Sequence, residues 1–172
     1  FVTFRCGGDS RLVFTRTSAA SGEQQTKAGW RVADVAAEVA GLRARGVDVA
    51  DYDEVLDRIR ELCFALPETS ERLSHGHPTF FVRGKRSFAM VLNDHHGDGR
   101  FALWAAAADG VQQMLVEADP ERFFRPPYVG HRGWLGLRLD RELHWDELAG
   151  ILEDAYVEVA PPKLVEEART TR

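Results

Sequence analysis

Residues 123–139 read Phe-Phe-Arg-Pro-Pro-Tyr-Val-Gly-His-Arg-Gly-Trp-Leu-Gly-Leu-Arg-Leu. Pro126 and Pro127 fix φ and remove two N–H donors, so neither a helix nor a central strand crosses them. Gly130 and Gly133 then allow a turn with positive φ. After the turn, Trp134 to Leu139 alternates with period two. Leu135, Leu137 and Leu139 share one face, and Trp134, Gly136 and Arg138 the other. The three leucines define a buried side. The opposite side is an open contact surface if nothing covers Trp134, and a second layer of core if a helix does.

Upstream, Thr79 to Arg83 and Ser87 to Leu92 flank Gly84-Lys85 as a hairpin, with Phe88, Met90 and Leu92 on one face. Asn93 to Gly99 is turn-rich. Phe101, Leu103 and Ala105 alternate along a third strand, with Trp104 facing the other way. Asp109 and Gln112 have capping-box spacing ahead of Val111, Met114 and Leu115, a helix that Asp119-Pro120 ends. Asp53 is placed to cap a helix carrying Val55, Ile59, Leu62 and Leu66, stopped by Pro67, and Glu68 to Gly76 reads as a polar connection. The longest helix runs from His144 to Val159, with Leu148, Ile151, Leu152, Ala155, Tyr156 and Val159 on a broad apolar stripe. Pro161-Pro162 breaks it, and Lys163 to Ala168 makes a further short piece. Consecutive strands joined by tight turns pair antiparallel. The expected fold is therefore α+β: an antiparallel sheet of about four strands with helices on one face.

Of 172 residues, 44% are hydrophobic and 28% charged, a composition that supports a real core. No apolar run approaches the ~20 residues that cross a bilayer, and no signal-peptide h-region opens the chain, so no membrane partner is expected. Cys6 and Cys63 match no metal or redox spacing, and a reducing, cytoplasmic compartment is the expectation. Phe1 is not an initiator Met, which suggests a fragment or a missing natural start. The net charge is −5. Up to Asp53 seven basic residues balance seven acidic ones, and the remaining fifteen against twenty carry the whole deficit. A strong nucleic-acid binder would show a basic domain or stripe instead.

Residues 1–53 differ from the rest. Phe1 to Arg5 and Arg11 to Thr17 read as strands joined at Gly7-Gly8-Asp9-Ser10, followed by a polar loop from Thr17 to Lys27. A brief strand at Trp30 to Val32, a helix capped by Asp34 and ended near Gly46, and a returning strand at Val47 to Ala50 complete the pattern, an incomplete βαβ-type segment. Lys27 to Val35, Leu42 to Val47 and Tyr52-Asp53 together resemble the glyoxalase-like, or vicinal oxygen chelate, superfamily. That resemblance implies part of a metal-binding cup. The family's His, Glu or Gln ligands are not met here, since residues 1–53 hold no histidine. A metal-dependent glyoxalase-like enzyme is accordingly the weakest functional reading, and an accessory or leftover segment the simplest.

Residues 54 to about 169 resemble the YjbR/MmcQ-like family. The carrying blocks are Leu66-Pro67-Glu68-Thr69, His75 to Phe80, Lys85 to Ala89, Ala118 to Phe123, Pro126 to Leu135, Trp145 to Leu148 and Ala160-Pro161-Pro162-Lys163. The resemblance divides the chain into a 1–53 segment and a 54–172 domain. It implies a frataxin-like or "double wing" arrangement and a DNA-binding role resting on fold analogy.

Nucleic-acid contact would use Arg83, Lys85 and Arg86 at the hairpin tip. Arg125, His131, Arg132, Trp134 and Arg138 around the Pro-Pro turn would add to it, with Lys163 at the family's basic position. His75, His77, His95 and His96, with Asp94, Asp98 and His131, are donors of metal-ligand type. His77 precedes Pro78, however, which favours extended backbone and a structural role, so no metal or cofactor is assigned. Cys63 lies by an apolar stripe as a core residue, Ser74 beside His75 is no triad, and no catalytic residue is named. A third reading is a non-enzymatic protein-interaction or small-ligand module. It uses the aromatics near Tyr128 and Trp134, and self-association through the unclosed N-terminal segment.

Overall fold

The computed structural model describes residues 2–5, 11–18, 24–31, 37, 40–41, 44–45 and 52–170, and the chain divides into two compact units, Phe1–Val49 and Ala50–Arg172. In the first, β1 (Val2–Arg5), β2 (Arg11–Ser18) and β3 (Gln24–Arg31) form an antiparallel sheet in the order β1-β2-β3. The polar loop expected from Thr17 to Lys27 is therefore mostly strand, because Ser18 pairs Gln24 and Thr15 pairs Lys27. Ladder hydrogen bonds come from the backbone, so a polar stretch rich in Thr can be strand without an apolar alternation to announce it. Residues 37, 40, 41 and 44 are helical, in the expected place. The expected hairpin at residues 7–10 and strand at residues 47–50 lie outside the described residues.

The second unit carries one antiparallel sheet of six strands, not four. Its strands are β4 (Thr69–Ser74), β5 (His77–Val82), β6 (Arg86–Asn93), β7 (Phe101–Ala105), β8 (Phe123–Phe124) and β9 (Leu135–Arg138), in the order β4-β5-β6-β7-β9-β8. The helices are α1 (Tyr52–Phe64), α2 (Val111–Ala118), α3 (Trp145–Val159) and α4 (Pro162–Thr170). Both missed strands are at the sheet edges. β4 is polar, with half its residues exposed and none buried, as edge strands are. It is held by backbone pairing to β5, by Thr69 donating to the carbonyls of Cys63 and Leu66 (2.9 and 3.1 Å), and by the Arg60 guanidinium, which grips Glu71 with two bonds of 2.8 and 2.9 Å. β8 has two residues, too few for any periodicity to register.

One side of this sheet is the core. Val55, Leu56, Ile59 and Cys63 of α1 and Leu148, Leu152, Ala155, Tyr156 and Val159 of α3 pack on it. They meet Phe80, Val82, Val91, Leu103, Leu135, Leu137 and Leu139 of the sheet and its continuation. The leucine face read from the sequence is this buried side. At about 25 cal/mol per Å² of apolar surface removed from water, such packing is the main stabilising term of the unit. The Tyr156 hydroxyl, inside that core, donates to the Pro67 carbonyl at 2.9 Å and ties α3 to the end of α1. Cys63 is fully buried, as expected for a core residue, and burial pushes its thiol up, far from a nucleophile's range.

The β6 alternation is broken. Phe80 pairs Ala89 and Phe81 pairs Ser87, leaving Phe88 as the extra residue of a β-bulge. Phe88 consequently joins the helix-side core with Val91, while Met90 and Leu92 face away from the helices. The expected common face for Phe88, Met90 and Leu92 is corrected on this ground.

Candidate functional site: an aromatic cavity on the sheet face opposite the helices

Strand register builds a second, smaller apolar layer on that outer face. Met90 pairs Trp104, and Trp104 pairs Gly136. Leu92, Ala102 and Trp104 are buried there, with Met90, Phe124, Val129 and Trp134 packed on them. Gly136 is required by close approach: a Cβ at this position would stand 2.5 Å from Cζ of Phe124, whose ring lies against the strand. The Arg100 guanidinium covers that ring, 4.4 Å from its centroid. Trp134 packs against both apolar layers of the sheet. It is half-buried and lines a cavity, so the open alternative for its face is the one realised.

The cavity holds about 630 Å³. Met90, Trp104, Val129 and Trp134 give it apolar walls, and Ser87, Asp94 and Arg132 add polar groups. His75, His77, His95, His96 and Tyr128 complete the lining. His95 is the hub of the rings: its centroid is 4.2 Å from His96, 5.1 Å from His77 and Trp104, and 6.1 Å from Tyr128. Nδ1 of His95 and Nε2 of His77 are 3.2 Å apart, a hydrogen bond in which one ring donates and the other accepts. Whichever tautomer is present, Nε2 of His95 is buried with no hydrogen-bond partner among the described residues. Burial is the leading cause that moves both His77 and His95 below the ordinary histidine value, reinforced by the neighbouring imidazoles. Both shifts favour the neutral ring.

Backbone strain gathers here. Among the described residues six other than glycine have positive φ, and four of them, His75, Asp94, His96 and Tyr128, line the cavity. His75 is a turn residue, since Ser74 pairs His77 across a two-residue hairpin with Gly76. Tyr128, at φ 62, is a turn residue too, since the Val129 N–H donates to the Pro127 carbonyl at 2.7 Å around it, but a bulky side chain is uncommon in the left-handed region. Strain of this kind costs on the order of 1–3 kcal/mol per residue and clusters at ligand sites. Tyr128 is 68% exposed, with its ring above the histidines.

Gln112 holds the cavity's far wall. It was expected to serve a capping box, but Gly110 occupies the N-cap of α2 without a side-chain cap. The two N–H groups of the Gln112 amide reach instead to the carbonyls of Gly130, at 2.8 Å, and Trp134. The turn differs too: Gly133 has the positive φ, but Gly130 does not. Gly130 is needed for space, since a Cβ there would lie 2.6 Å from Cγ of Arg125.

The nine positions read as nucleic-acid contacts are dispersed. Arg83, Lys85 and Arg86 sit on or beside the β5–β6 turn, where the Arg83 fork is occupied by Glu68 at 2.5 and 3.0 Å. Glu68 also feels Lys163, exposed in the first turn of α4. Arg138 pairs Ala102, towards the opposite end of the strands, and its Nε donates to Asp140 at 2.9 Å, with Nη2 on the other oxygen. Arg125 and His131 are exposed in the Pro-Pro loop. Of the nine, Arg132 and Trp134 line the cavity. The four histidines read as metal donors do gather, yet among the described residues no group of three or more His, Cys, Asp or Glu side chains converges to hold an ion. Sequence reasoning missed Met90, Ser87 and Gln112. Their signal was the β6 bulge and the register, and neither is visible without the fold.

Fold and site together define an α+β domain with one sheet face under helices and a ligand-sized aromatic cavity on the other. Residues 64–158 match the family model YjbR, and the chain belongs to the YjbR family. A crystal structure of the Deinococcus radiodurans protein DR2400, described as a DUF419 domain, has a similar fold. It is 19% identical, with a TM-score of 0.53 over 66% of this chain and 87% of that one. No curated protein matches the chain.

Proposed function

We propose that the YjbR domain of this chain is a binding protein for a small molecule, which it takes up in the aromatic cavity rather than acting on it chemically. One observation carries the reading: a cavity of about 630 Å³ walled by Trp104, Trp134, Met90 and Val129 with convergent imidazoles. Its size and its mixture of apolar wall and few polar groups are those of ligand sites. Two features support it. The strained residues surround the cavity, and the unpartnered Nε2 of His95 lies in the ring cluster beside it. The test is a fragment screen on the full chain by ligand-observed NMR, repeated on Met90→Trp, which fills the cavity. Ring-bearing fragments are expected to bind the parent and to be lost from the variant. Fragments that bind both equally would refute the site.

Nucleic-acid binding through the basic turn is a separate proposal, favoured by the exposure of Lys85, Arg86 and Lys163 at one end of the unit. Contact through Arg83 or Arg138 would first have to displace Glu68 or Asp140. Titration with short duplex DNA at low salt tests it, and negligible affinity there would end it. The glyoxalase-like character of residues 1–53 and self-association through them rest on sequence pattern. In their support, the three-stranded sheet leaves β1 and β3 as its edges. Light scattering on the full chain tests association.

A further inference from the structure

The charge and ring content of the cavity narrow the ligand further, an inference that rests on the small-molecule reading above. Seven of the twelve lining side chains carry flat rings: His75, His77, His95, His96, Trp104, Tyr128 and Trp134. Such walls favour a flat π surface, since offset and edge-to-face ring contacts add to apolar burial.

The fixed charges of the lining are Asp94 and Arg132. The Asp94 Oδ1 accepts from the Gly99 N–H at 3.0 Å, which orients the carboxylate within its own loop and leaves its charge in place, so Arg132 is the lining's one fixed cation. Arg132 lies on the 3₁₀ turn Gly130–Arg132 that Gln112 anchors, and forms no ion pair among the described residues. The histidines add no negative charge in either protonation state, and a proton gained by any of them adds a positive one.

We propose that the cavity binds a flat aromatic anion, its ring system against Trp104 and Trp134 and its carboxylate or other anionic group on the Arg132 guanidinium. A guanidinium offers two parallel N–H donors to such a group, a geometry that an alcohol or an amine on the same ring cannot use.

Isothermal titration of the full chain with three probes of equal ring size tests this: 2-naphthoate, 2-naphthylmethanol and 2-naphthylmethylamine. Naphthoate is expected to bind about tenfold more tightly than the alcohol, the amine being weakest, as one charge-assisted fork implies. In Arg132→Gln the preference collapses, and Arg132→Lys restores part of it. Raising the salt narrows the gap, because Arg132 is exposed. If the alcohol or the amine binds as tightly as naphthoate, or Arg132→Gln changes nothing, the anion assignment fails while the cavity reading stands. If no probe binds, or binding survives Met90→Trp, both fall together. Arg132 is exposed on a turn, so its variants fold as the parent does.

Discussion

Gln112 offers the sharpest check on how the cavity is built. Its amide nitrogen spends both N–H groups on one loop, at the carbonyls of Gly130 and Trp134. Gln112 is half-buried, and each bond contributes roughly 0.5–1.5 kcal/mol net of solvent exchange. Gln112→Ala therefore removes about 1–3 kcal/mol, of which a few tenths return because alanine is the better helix former. For a domain of this size that is a fall of roughly 3–10 °C in Tm. Gln112→Glu keeps the shape but replaces the double donor with an acceptor-only carboxylate facing two carbonyl oxygens, so it is predicted to be worse than Ala despite its conservative size. Calorimetry gives the stability order. Hydrogen exchange should show the extra opening concentrated at 130–134, with weaker aromatic-probe binding, since Arg132 and Trp134 lose their support. A Glu variant as stable as the parent, or a loss of stability without faster exchange in that loop, would refute the reasoning.

Tyr156→Phe removes the bond to the carbonyl of half-buried Pro67 and is expected to cost about 0.5–1.5 kcal/mol by denaturant titration, with ligand affinity unchanged. Gly136→Ala drives a Cβ into the Phe124 ring, so β8 shifts or detaches. A lowered Tm with altered Phe124 signals is expected, and an unperturbed ring would contradict the packing. His77 and His95 have folded values below the ordinary 6.5, so the unfolded chain takes up protons first as the pH falls. Their contribution to stability is thus complete above about 6.5 and is lost as the pH drops from there towards their folded values. His95→Phe should flatten the urea-midpoint profile across that window.

Much of the helix-side core was legible because its strands alternate plainly. Phe101, Leu103 and Ala105 in β7 and Leu135, Leu137 and Leu139 in and after β9 point to the core, with Trp104 on the other face, as their spacing implies, while Trp134, just ahead of β9, packs against both layers. β4 was not legible because it is stabilised by backbone pairing and the Arg60–Glu71 fork rather than by apolar burial. Phe88 does not share the face of Met90 and Leu92 that period two implies, because a bulge moves it without changing a letter of the sequence. The cavity was the least legible feature. His77, His95, Trp104 and Trp134 are far apart in the chain and meet only through the register of β5, β6, β7 and β9. Their residue types suggested metal ligands or exposed aromatics one at a time. Their assembly around His95 turns them into the walls of one site.

The central claim, a small-molecule site on the outer face of the sheet, is tested most directly by following the tryptophan indole N–H signals while 2-naphthoate is titrated into the full chain. Trp104 and Trp134 line the cavity, whereas Trp145 begins α3 and packs against the helix-side core. The account predicts that the Trp104 and Trp134 signals shift together along one saturable curve while Trp145 stays in place. Signals that stay still at saturating probe, or a shift confined to Trp145, would contradict it.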